Sequence, residues 1–155
     1  MTNQEIYEYY KSIPRGTRGR TITDHFNSLS IDERKAYTNY LRSLSSGDSE
    51  LDALTTLLRN QAVQDFWDNE RELVKQGKGT RNWTIEQQNV ILNKDSNGIE
   101  LKHAGTPKGM DGVAFQGQHM YAVDAYPEYA GDYRNIQALH GSAFWTYVNT
   151  LDTKS

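Results

Sequence analysis

Apolar residues recur at helical spacing through the first half of the chain and lose that period in the second. Gln4 to Ser12 reads as a short aromatic helix closed by Ile13-Pro14-Arg15-Gly16, and a basic loop, Arg15-Gly16-Thr17-Arg18-Gly19-Arg20, follows. Ser30-Ile31-Asp32-Glu33 is a capping-box signature, with Ser30 as N-cap and Glu33 reaching back from the third helical position. It opens a helix to about Leu44, which Ser45-Ser46-Gly47 ends. Leu51, Leu54, Leu57, Leu58, Phe66 and Leu73 then mark an amphipathic helix from about Ser49 to Gln76, stopped by Gly77-Lys78-Gly79. Too few heptads are present for a coiled-coil seam, so the Leu spacing reads as core packing.

Thr84-Ile85-Glu86-Gln87 is a second capping box and opens a short helix to Leu92. Beyond Asn93 the texture changes: Gly, Pro and Asn become frequent and the helical period is gone. Ile99–Ala104 and His119–Asp124 read as strands, and Ser142–Leu151 as one terminal helix. No internal repeat is visible. The fold class expected is α+β. A helical region, 1–78, is followed by a mixed region, 79–155, in one compact unit.

Composition narrows the chemistry. The 155 residues include 10 Tyr, 4 Phe and 3 Trp, enough large apolar surface for a core, and Tyr7, Tyr9 and Tyr10 read as packed core rather than a base-stacking platform. Formal net charge is -3, from 17 basic and 20 acidic residues. That balance argues against a non-specific DNA coater, while a nuclease needs only a local basic cleft. The absence of cysteine removes disulfides, Cys-zinc sites and thiol nucleophiles. A metal would therefore rest on His, Asp, Glu, Asn or backbone oxygen. No apolar run approaches the ~20 residues of a membrane span, and Met1-Thr2-Asn3-Gln4 lacks the apolar core of a signal peptide. Export would then require another pathway or a removed leader domain.

Of the four histidines, His25 has no partner in sequence and reads as structural. His103, beside Lys102, reads as a nucleic-acid contact or a solvated strand residue. His119 has more informative company. It follows a Gly-rich loop, Gly109-Met110-Asp111-Gly112, and precedes a Pro-containing turn, Asn135 and His140. A strand His, an Asn between strands and a second His on a helix is the order of parts in a ββα-metal nuclease site. There the first His activates the attacking water, the Asn orients it, and the second His helps hold a metal. The competing reading makes Asn135 a turn cap and His140 a residue near the N-cap of the last helix. Asp111 and Asp124 read either as oxygen ligands or as ordinary loop and strand-end carboxylates.

A longer series of motifs favours the first reading. Phe66-Trp67-Asp68-Asn69-Glu70-Arg71-Glu72-Leu73 leads into Gly77-Lys78-Gly79-Thr80-Arg81-Asn82-Trp83-Thr84, then Gly117-Gln118-His119-Met120, Tyr126-Pro127-Glu128-Tyr129-Ala130-Gly131 and Asn135-Ile136-Gln137. This order resembles the C-terminal toxin domains of bacterial polymorphic toxins in the HNH/endonuclease VII superfamily, of the Gly-His-His or Gly-His-Glu type. The resemblance implies an HNH-like ββα-metal subdomain and a metal-dependent DNase toxin used in interbacterial competition. It would be delivered to act in the target-cell cytoplasm and be restrained by an immunity protein. It implies catalytic roles for His119, Asn135 and His140, with His119, His140 and Asp124 holding Mg, Mn, Ni or Zn. Lys78, Arg81, Lys102 and Arg134 would contact DNA phosphates. The chain departs from the pattern at Gln118, where a His is expected, and at Ser142-Ala143-Phe144, where a Glu-His pair is expected. The trailing His-Gly-Gly-Asn is also missing. Those departures leave an alternative: a degenerate, non-catalytic nuclease fold that binds protein or nucleic acid.

Overall fold

The computed structural model describes residues 1–95, 97–99, 101 and 105–141. It is mixed α+β, with helices N-terminal and strands C-terminal. Five helices come first: α1 (Asn3–Ser12), α2 (Arg15–Ser28), α3 (Ile31–Ser43), α4 (Gly47–Lys75) and α5 (Ile85–Ile91). Two antiparallel strands, β1 (Phe115–His119) and β2 (Ile136–His140), follow. Contacts divide the chain into two compact units. The first holds residues 1–63 and 119–135, and the second holds 64–118 and 136–141.

In the first unit, the helices begin where side chains satisfy their orphan N–H groups. Thr2 with Glu5, and Ser30 with Glu33, form reciprocal capping boxes on α1 and α3. The segment expected as a basic loop is instead the start of α2. Its glycines and arginines give weak helical signal, yet Ile22, Thr23 and Phe26 share one buried face. Burial of that face outweighs local propensity. Ile6, Tyr10, Phe26, Tyr37, Leu41 and Leu58 are among the residues of the core it joins. Gly47 opens α4 rather than ending α3, whose C-cap is Leu44. A Cβ on Gly47 would lie 2.5 Å from the Leu41 carbonyl oxygen, so only glycine fits this close approach.

Arg34 is a buried cation with no carboxylate bond among the described residues. It donates to the carbonyls of Phe26 (3.0 Å) and Asn27 (2.6 Å), which end α2, and to that of Glu128 (3.3 Å). Charge-assisted bonds to three backbone carbonyls offset its desolvation. Asn27 donates to the Gly131 carbonyl at 2.8 Å. The turn at 127–131 is thereby fixed to α2 and α3.

In the second unit, Thr84 and Gln87 cap α5 as expected. Glu70 is fully buried and accepts from the Thr80 backbone (2.7 Å), the Thr80 hydroxyl (2.8 Å) and Trp83 Nε1 (2.8 Å). Three donors on one carboxylate lock the loop after α4 onto that helix. Trp83 packs edge-on against Phe115 of β1, with ring centroids 5.0 Å apart.

The strand expected over His119–Asp124 lies earlier, with His119 its last residue and a turn beyond it. Ile136–His140, expected as the approach to a helix, is β2, so His140 stands on a strand and not on a helix. Ile99 and Leu101 lie in no strand, while Glu100 and residues 102–104 fall outside the described residues. So does the terminal helix expected over 142–151. Among the described residues, no helix is long and apolar enough to cross a membrane.

Candidate active site

His119 ends β1 in the first unit and is 7% exposed. Its Nε2 lies 2.9 Å from the carbonyl oxygen of Ala130. A carbonyl only accepts, so Nε2 carries the proton and the ring's basic lone pair belongs to Nδ1. Burial lowers the pKa of His119 below the ordinary imidazole value. The Ala130 bond pulls the other way, and the nearby Arg59 charge adds to the lowering. The ring is therefore neutral at pH 7, the state in which an imidazole takes up a proton.

Asn135 is buried in the same unit. Its Oδ1 accepts from the Tyr121 N–H at 2.8 Å. Its Nδ2 donates to the carbonyls of Tyr121 (3.2 Å) and Tyr129 (3.4 Å). The side chain thus pins both ends of the loop whose Ala130 carbonyl meets His119. Asn135 and His119 bond to the same segment, Asn135 at Tyr121 and Tyr129 and His119 at Ala130. Gly131 follows Ala130 in close contact, since a Cβ there would lie 3.0 Å from Leu58 and 3.1 Å from Asn27 Oδ1.

His140 ends β2 in the second unit. Its Nε2 lies 2.9 Å from Asp111 Oδ1, and its ring meets Phe115 edge-on at 5.4 Å. Asp111 has its pKa lowered, first by the Val113 N–H it accepts and then by His140. A Cβ on Gly109 would sit 2.8 Å from His140 Nε2, so this glycine leaves room for the pair.

The expected cations have different settings. Arg81 projects from the loop held by Glu70, donates to the Ala138 carbonyl at 2.5 Å and lies 5.0 Å from the Phe115 ring centroid. Lys78 is exposed on the same loop. Arg134 grips Asp132 with two bonds, Nη2 to Oδ2 at 2.8 Å and Nε to Oδ1 at 3.0 Å. Its guanidinium is thus already engaged by a carboxylate. Lys102 and His103 lie outside the described residues. His25 is structural, as expected, with its Nδ1 2.7 Å from the Tyr10 hydroxyl.

Residues 50–140 match the family model of the GHH-signature-containing HNH/Endo VII superfamily nuclease toxins. The chain belongs to that family. No curated protein matches it. Within the matched residues of this nuclease toxin domain, Gly117 is followed by Gln118 and then His119. Consecutive strand residues face opposite ways, so the inward position holds the imidazole and the half-buried one holds an amide.

The superfamily implies a divalent metal. Among the described residues, no three His, Asp or Glu side chains converge as a metal group would require. Of the residues expected as ligands, Asp124 is exposed on a turn of the first unit, and His140 lies 2.9 Å from Asp111 in the second. Two donors are fewer than Mg, Mn, Ni or Zn take from a protein cage, so the described residues do not fit a complete metal site. Sequence patterns could not reveal Ala130 as the partner of His119, because its contribution is a backbone oxygen. Glu70 was equally unanticipated, because Asp68 and Glu72 beside it give the sequence no means of singling it out.

Proposed function

We propose that this nuclease toxin domain hydrolyses DNA phosphodiester bonds with His119 as general base. One observation carries the reading: His119 is a buried imidazole at the end of β1, its Nε2 is held 2.9 Å from the Ala130 carbonyl, and burial lowers its pKa. In the step, the His119 imidazole takes a proton from water as the water oxygen bonds to phosphorus. The bond from phosphorus to the leaving oxygen breaks, and that oxygen takes a proton from solvent. Asn135 is a positioning residue, acting through the loop it pins. Lys78 and Arg81 contact phosphates as exposed cations on a braced loop.

Kinship with this toxin family supports delivery into a competing cell, a cognate immunity protein, and a divalent metal among Mg, Mn, Ni and Zn. No step is assigned to that metal, because the described residues do not assemble a cage for it.

Gln118 favours a second reading, a binding module without cleavage, since an amide cannot replace an imidazole in proton transfer. Cytoplasmic expression in a bacterium distinguishes the two. The nuclease reading expects growth arrest with fragmented chromosomal DNA, both relieved by His119→Ala at equal protein level. Intact DNA in arrested or growing cells contradicts it and leaves the binding module.

A further inference from the structure

The N-terminal helices extend beyond the residues matched to the toxin family, and they enclose a groove of about 360 Å³ within the first unit. That volume lies at the lower end of the ~300–1,000 Å³ range of small-molecule sites. Its walls are aromatic and aliphatic, with Tyr7, Tyr10 and Tyr37 facing Ile22, Leu54 and Leu57. Three polar groups are set among them, and their bonding is uneven. Glu50 is already answered, by Lys11 at 3.0 Å and by the Tyr7 hydroxyl at 2.9 Å. Arg18 is not: its guanidinium donates only to the Ile13 carbonyl, at 3.1 and 3.3 Å, and has no carboxylate partner among the described residues. The site therefore carries one uncompensated positive charge.

Tyr37 supplies the second, independent observation. It is 2% exposed, lines the groove, and its hydroxyl has no hydrogen-bond partner among the described residues. The charges and phenols within its electrostatic reach include Tyr7, Tyr10 and Glu50, all of which line the groove. A hydroxyl of the groove lining that bonds to no described protein group can donate to an acceptor on a bound molecule.

We infer that this groove binds a small aromatic carboxylic acid, its ring between the tyrosines and aliphatic wall and its carboxylate on Arg18 and the Tyr37 hydroxyl. Aromatic faces favour an edge-on or offset ring, and a guanidinium favours a carboxylate over a neutral head. Calorimetric titration of the full chain with 3-phenylpropionate, beside the uncharged 3-phenylpropanamide, tests this. Saturable binding of the acid is expected, with the amide weaker by about tenfold or more. Arg18→Gln and Tyr37→Phe should each weaken the acid several-fold. Ala53→Trp, at an exposed position on the groove wall, should abolish binding without lowering the unfolding midpoint. No saturation by the acid up to about 10 mM, a Kd well above the ~1 mM of a weak site, would overturn the inference. So would equal binding of the amide, or binding that Ala53→Trp leaves intact.

Discussion

Two histidines in the first unit are held below their ordinary pKa, and they set the acid response of this domain. Burial lowers His119, with Ala130 opposing and Arg59 assisting, and burial also lowers His25. The unfolded chain then binds protons at a pH where the native state does not. Stability is full above the unfolded imidazole value near ~6.5 and falls as pH drops through it. Thermal melts should therefore show a falling midpoint from pH 6.5 to 5, before the carboxylates titrate. His25→Gln should flatten part of that slope, and a slope unchanged in this variant would contradict its assignment. Glu70 carries a separate prediction. Glu70→Ala strands the Trp83 N–H, the Thr80 N–H and the Thr80 hydroxyl. Denaturant unfolding should record a loss of about 2–4 kcal/mol.

Among the elements, two glycines that look alike in sequence should respond in opposite ways. Gly16 lies in the first turn of α2 with open space around its missing Cβ, so Gly16→Ala should stabilise by about 0.5 kcal/mol. Gly47 has backbone carbonyl oxygens of α3 where its Cβ would go, so Gly47→Ala should cost about 1–3 kcal/mol. Equilibrium unfolding of the two variants checks both signs. The same contrast explains what the sequence made legible. The capping boxes at Ser30 and Thr84 were readable because their partners are three residues apart. The start of α2 was not, because Ile22 and Phe26 justify that helix only through a core assembled from distant segments. β2 was hidden for a related reason: Ile136 and Ala138 alternate inward, but two apolar residues make too short a period. Strand placement also decided His140, which the order of motifs had put on a helix. His119 and Asn135 were legible as residue types in order, and the Ala130 carbonyl that meets His119 was not.

For the whole molecule, a formal charge of -3 means that the proposed DNA binding would rest on a local patch. Lys78 and Arg81 offer one, whereas Arg134 is spent on Asp132. Binding to a short duplex should weaken as salt rises. Lys78→Gln or Arg81→Gln should each reduce the slope of log affinity against log salt by about 1. Arg134→Gln should change it little. The most direct test of the central claim is cleavage of supercoiled plasmid by the purified chain. Each of Mg, Mn, Ni and Zn would be supplied in turn, with His119→Ala and a chelator as controls. Nicked and linear DNA from the wild type, lost in His119→Ala while the variant remains folded by circular dichroism, is the result expected of a His119 base. Cleavage that persists in folded His119→Ala, or intact plasmid with every metal, would contradict it.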